Sequence, residues 1–189
     1  MRAKAFLATI YGQAGRSADA INVINEALAV SDKRQQFYFV AAEAYLKANQ
    51  SDQAVAALRQ AYALAPEYPD AVVNLSTVLI ITGKEDEAEA LVLKTFGAKY
   101  IPDDRFAQAY VQAGHLEKAA KVLEVKTNSS SQDYLGRAQL GLLYARLGRV
   151  QDAIAKIEEA IQIQPQFKTQ GEQLIEQIRS GQAGAKPKQ

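Results

Sequence analysis

The stretch YLGRAQLGLLYARLGRVQDAIAKIEEAIQIQPQF, residues 134–167, holds two helical patterns separated by a glycine. Leu140, Gly141 and Tyr144 fall three to four residues apart, the spacing that stacks side chains on one face of a helix. Gly148 breaks that run, because glycine readily takes the left-handed conformation that closes a helix. Ala153, Ile154, Ile157, Ala160 and Ile161 then resume the helical spacing until Pro165 stops it. The pattern predicts two antiparallel helices joined by a tight turn. Gly141 and Ala153 are small where the two would cross, and Tyr144 fills the space beside them, so a larger residue at either place would push the helices apart.

The same tile recurs along the chain. Aligned on the turn, Gly15, Asn49, Gly83, Gly114 and Gly148 are spaced 34, 34, 31 and 34 residues apart. An alanine follows five positions later each time, at Ala20, Ala54, Ala88, Ala119 and Ala153, and Tyr11, Tyr45, Leu79, Tyr110 or Tyr144 stands four positions before. Asn49 can replace the turn glycine because asparagine tolerates the left-handed region. Leu7, Ala8 and Tyr11 read as the inward positions of the first helix, and Val72, Leu75, Ser76 and Leu79 as those of the third tile. The 31-residue spacing predicts a first helix shortened by about one turn in the fourth tile. Gly97 closes the helix before it, which reads as running from Glu85 through Leu93, and Asp103 or Asp104 caps the next. Thr127 to Gln132 reads as a polar loop. After Pro165, Leu174, Ile175 and Ile178 lie on one side of a further helix, and residues 181–189 read as a disordered tail.

Leu140, Gly141, Tyr144, Gly148, Ala153, Ala160 and Pro165 stand where the tetratricopeptide-repeat family keeps its characteristic residues, so the tile resembles that family. The resemblance implies an all-α fold, a right-handed α-α superhelix of five such helix-turn-helix repeats plus a C-terminal capping helix. The repeats fall at about 1–34, 35–68, 69–99, 100–133 and 134–167, with the cap at 168–180, in one domain over residues 1–180. The capping helix would supply the polar face that the end of a repeat stack needs.

In that family the first helices line a concave face that holds partner peptides. Projected here, the groove comprises Phe39, Glu43, Leu46 and Lys47 of repeat two and Val73, Asn74, Thr77, Ile80 and Ile81 of repeat three. Arg105, Gln108 and Gln112 of repeat four and Leu142 and Arg146 of repeat five complete it. Asn74 matches the asparagine with which peptide-binding members hold a ligand backbone, a task suited to an amide because it both donates and accepts. The basic set that clamps a terminal carboxylate in chaperone-binding members is not reproduced, since Ala5 and Thr9 occupy its repeat-one positions.

Composition narrows the alternatives. With 22 Lys plus Arg against 21 Asp plus Glu, the net charge of +1 gives no electrostatic case for nucleic acid. Zero cysteines exclude thiolate metal sites and thiol nucleophiles. No stretch reaches the ~20 apolar residues of a membrane span, so no membrane insertion by this segment is expected. The single histidine, His115, follows a turn glycine with no nucleophile beside it. Glu85, Asp86, Glu87 and Glu89 read as a solvated helix face. Thr82-Gly-Lys84 lacks the glycine and strand of a phosphate loop.

The expectation is therefore a non-enzymatic scaffold without metal or cofactor that binds a protein or peptide. The alternative is a positioning appendage of a larger bacterial enzyme or envelope assembly. Because the first helix is in register from its start and Phe6 and Ile10 lack a neighbour, the chain is expected to be a fragment of a larger protein, or to meet a second copy through its first repeat. Compartment stays open.

Overall fold

The computed structural model describes residues 2–182. Among these are eleven α-helices. They form two units, divided between Lys99 and Tyr100.

The first unit contains α1 (Arg2–Gln13), α2 (Ser17–Val30), α3 (Gln35–Lys47), α4 (Ser51–Leu64), α5 (Pro69–Ile81) and α6 (Glu85–Phe96). Each helix packs on the next, and α1 also reaches α3. The second unit contains α7 (Asp104–Gln112), α8 (Leu116–Ser129), α9 (Tyr134–Arg146), α10 (Val150–Ile163) and α11 (Lys168–Arg179), again each on the next, with a 3-10 turn at Pro165–Phe167 before α11.

The turns explain why the pairs are antiparallel. Gly15, Asn49, Gly83, Gly114 and Gly148 all have positive φ, between 58° and 82°. At Gly148 the amide of Arg149 donates to the Tyr144 carbonyl at 2.8 Å and that of Gly148 to Ala145 at 3.0 Å, which satisfies two orphan carbonyls of the helix end. The same long bond recurs at Arg16 to Tyr11, Gln50 to Tyr45, Lys84 to Leu79 and His115 to Tyr110. Gly181 closes α11 in the same way, with Gln182 donating to Gln177, so the first residue of the expected tail is itself the helix closure. The remainder of that tail, residues 183–189, lies outside the described residues.

Helix crossing follows the expected register. Ala20, Ala54, Ala88, Ala119 and Ala153 are all 0% exposed. A Cβ on Gly141 would stand 2.9 Å from the carbonyl oxygen of Ala153 and 3.0 Å from Ile157 Cδ1, so α9 and α10 approach too closely for any side chain there. Tyr144 fills the adjoining space and its hydroxyl donates to Glu124 of α8 at 2.7 Å, while Arg149 covers the ring at 4.0 Å. Burial, together with the hydrogen bond and charge of Glu124, pushes the Tyr144 phenol up to about 12.

α7 has nine residues where α1, α3, α5 and α9 have twelve or thirteen, the shortening of one turn that the spacing predicted. Asp103 is its N-cap and accepts from the amide of Arg105 at 2.9 Å. Gly97, at φ 70°, closes α6.

Several expectations need correction. Leu7 is 39% exposed rather than inward, because α1 packs on α2 and α3 through Ala5, Ala8 and Gly12. α6 continues three residues past Leu93 to Phe96. The stretch read as a loop from Thr127 is helical to Ser129: Thr127 is buried and turns its hydroxyl back to the Leu123 carbonyl at 2.9 Å, which lets a polar residue continue the helix. Glu89 does not lie on a solvated face, since its side chain is 13% exposed and pairs with Lys99 at 2.7 Å.

Among the described residues, one buried hydroxyl is left unsatisfied. Ser76 of α5 is 0% exposed and its hydroxyl has no hydrogen-bond partner. Residues at the same distance before the other turns, Ala8, Ala42, Ala107 and Gly141, bring no polar atom. Ser76→Ala is therefore expected to stabilise the protein by about 1 kcal/mol, read as a higher denaturant midpoint. A lower midpoint would contradict this account of α5.

Candidate functional site

The residues expected to form one groove fall in both units, and each unit treats them differently. In the first, Phe39, Leu46 and Ile81 are half-buried. Glu43 and Lys47 sit four apart on α3 and pair with each other at 2.7 Å, so Lys47 offers little uncompensated charge. Asn74 is half-buried, and its carbonyl accepts from the Thr77 hydroxyl at 2.9 Å. Val73, Thr77 and Ile80 are buried at 3%, 9% and 1% exposure, and so present almost no surface. A cavity of about 450 Å³ in this unit is lined by Arg2, Ala5, Arg34, Gln35, Gln36 and Phe37, none of them among the expected groove residues.

In the second unit the expected residues converge. Gln108 and Gln112 of α7 and Leu142 and Arg146 of α9 line one groove of about 520 Å³. Both are first helices of their pairs, and α8 lies against each and adds Leu123. The register places Asp104, Gln108 and Gln112 along α7 and Gln139, Leu142 and Arg146 along α9, so each row recurs at three- or four-residue steps on one face. Val111 and Leu142, both half-buried, give the groove its apolar surface, over the buried Ala107, Leu123 and Leu143.

Its polar groups are mostly uncommitted. Among the described residues, the side chains of Gln108, Gln112, Gln139 and Arg146 have no hydrogen-bond or ion-pair partner. Asp104 is already matched by Lys126, at 2.7 and 2.8 Å. Arg105, also expected in the groove, is turned away to Asp103, with Nη2 donating at 2.7 Å and Nε at 3.0 Å. That contact, with the backbone bond from Arg105, holds the Asp103 carboxyl below its ordinary range despite partial burial.

Sequence reasoning missed Gln139, Asp104 and Val111. Gln139 had a signal, because it stands nine residues before its turn glycine, as Asn74 does before Gly83.

No group of His, Cys, Asp and Glu among the described residues could hold a metal ion. His115 lies exposed at the start of α8, and Lys84 of the Thr82-Gly-Lys84 stretch pairs with Asp52 at 3.3 Å. No described helix is long and apolar enough to cross a membrane.

One tetratricopeptide-repeat family model matches residues 45–96 and a second matches residues 135–167. Among solved structures, the chain is similar to PilW, a type IV pilus biogenesis factor, at 19% identity and TM-score 0.66 over 97% of this chain and 86% of that one. It is also similar to TTC0263, a thermophilic repeat protein of Thermus thermophilus, at 17% identity and TM-score 0.57 over 95% and 97%. A third is YrrB, a repeat protein with an unusual peptide-binding site, at 18% identity and TM-score 0.51 over 86% and 85%. At these identities the likeness carries the all-α repeat fold. No curated protein matches the chain.

Proposed function

Because this chain belongs to the tetratricopeptide-repeat family, we propose that it is a protein-interaction scaffold whose second unit holds an extended segment of a partner between α7 and α9. The observation that carries this reading is the 520 Å³ groove, with apolar surface and three glutamine amides that have no partner among the described residues. An extended backbone offers alternating donors and acceptors, and a primary amide can meet either. Apolar side chains of the partner would occupy the surface of Val111 and Leu142 and supply the non-directional part of the affinity.

The dimensions suit a short segment. From Asp104 to Gln112 α7 rises about 12 Å, which an extended chain covers in about four residues. Proteins of this fold are typically non-catalytic, and we read the groove as a binding site without chemistry of its own.

The test is a titration. The tightest octapeptide from a random library selected on the full chain is labelled and its affinity measured against the triple variant Gln108→Ala, Gln112→Ala, Gln139→Ala. Each amide contributes about 0.5–1.5 kcal/mol, so the triple variant should bind at least tenfold more weakly with unchanged helicity. Equal affinity would contradict the site.

A further inference from the structure

The groove carries a charge that nothing in its surroundings balances. Around it, four cations of the second unit are held in ion pairs. Lys126 pairs with Asp104 at 2.7 Å, Arg105 with Asp103 at 2.7 Å, Arg137 with Glu159 at 3.3 Å and Arg149 with Asp152 at 2.8 Å. Arg146 differs. It lines the groove, is exposed, and has no ion-pair partner among the described residues.

The two charged ends of the groove are thus unlike. Asp104 opens α7 and is neutralised by Lys126, whereas Arg146 stands in the last turn of α9 beside the register of Gln112, eight residues further along the paired rows. An occupant that lies along α7 and α9 meets a neutralised pair at one end and an uncompensated guanidinium at the other. A groove walled by apolar side chains also strengthens a charge pair relative to open water.

We propose that the groove selects partner segments bearing an aspartate or glutamate, with the carboxylate received by Arg146. This rests on the reading of the groove as a peptide site. The guanidinium fork matches a carboxylate with two parallel N–H donors, a geometry that a lysine would not reproduce. Gln112, at the same end, can donate a further hydrogen bond to the acid or hold the backbone beside it. A polyanion is disfavoured, because Asp104 sits in the same groove and the whole chain carries a net charge of only +1.

The experiment uses an immobilised array of randomised octapeptide pools, each fixing one residue type at one position, probed with the full 189-residue chain. Pools fixing Asp or Glu at one position should bind at least tenfold better than pools fixing Asn or Gln there. Arg146→Gln should abolish that preference, so that acid and amide pools bind alike, and Arg146→Lys should restore only part of it. The absence of an acid preference in the wild-type chain, or its persistence in Arg146→Gln, overturns the proposal. The groove reading has its own arm: if the triple glutamine variant binds all pools as well as the wild type, the site is elsewhere. No binding of any pool by the wild-type chain overturns both.

Discussion

Ile157→Ala lowers the unfolding free energy by about 2–5 kcal/mol, the range for removing three buried carbons from a packed core. Ile157 is 0% exposed and its terminal carbons lie against Gly141 of α9, where no side chain exists. The missing atoms cannot be replaced by a small shift of α9, because the Ala153 carbonyl already limits its approach to α10. The contrast is Val150→Ala on the same helix. Val150 is 38% exposed, so its truncation should cost less than about 1 kcal/mol. Denaturant midpoints of the two variants check the expectation, and similar losses would contradict the burial of Ile157.

Ala153→Leu acts on the same crossing from the opposite direction. Ala153 is 0% exposed, and its carbonyl is 2.9 Å from where a Gly141 Cβ would stand, so three more carbons have no space to enter. Overpacking of this kind costs about 1–3 kcal/mol. Ala155, two residues on and exposed, is the control, and Ala155→Leu should change stability by less than about 0.5 kcal/mol. Because Gly141, Ala153 and Ile157 share one contact, their substitutions should not add. Equal midpoints for Ala153→Leu and Ala155→Leu would refute the register on which the repeat alignment stands.

That register was legible because it depends on local geometry repeated along the chain. A turn residue with positive φ and an alanine five positions later define a helix pair whatever lies around it, which is why Asn49 and Ala54 obeyed the rule as well as Gly148 and Ala153. Exposure was less legible, because it depends on neighbours that a single repeat does not specify. Leu7 has the register of Leu75 and Leu140, which are buried, yet it stays exposed because α1 packs only on α2 and α3. α5 shows the converse. It is apolar on nearly all sides, with Val73, Thr77 and Ile80 among nine buried residues, so helical spacing could not separate a groove face from a core face.

The projected positions met a groove only in the second unit. Gln108, Gln112 and Arg146, projected from the concave face of the resembled family, all line the groove of the second unit. Arg105 was picked by the same rule and is absent from the lining, because Asp103, two residues earlier, captures its guanidinium. A helix pattern says which way a side chain leaves the backbone, not which neighbour it meets.

The most direct test of the scaffold reading is amide hydrogen exchange on the chain with and without its tightest selected octapeptide. Binding between α7 and α9 predicts slowed exchange confined to residues 104–112 and 139–146, with α10 and the outward residues Arg59 and Glu87 of the first unit, an exposed ion pair at 2.9 Å, unchanged. Protection that falls on those outward residues, and leaves 104–112 and 139–146 exchanging as in the free chain, would contradict it.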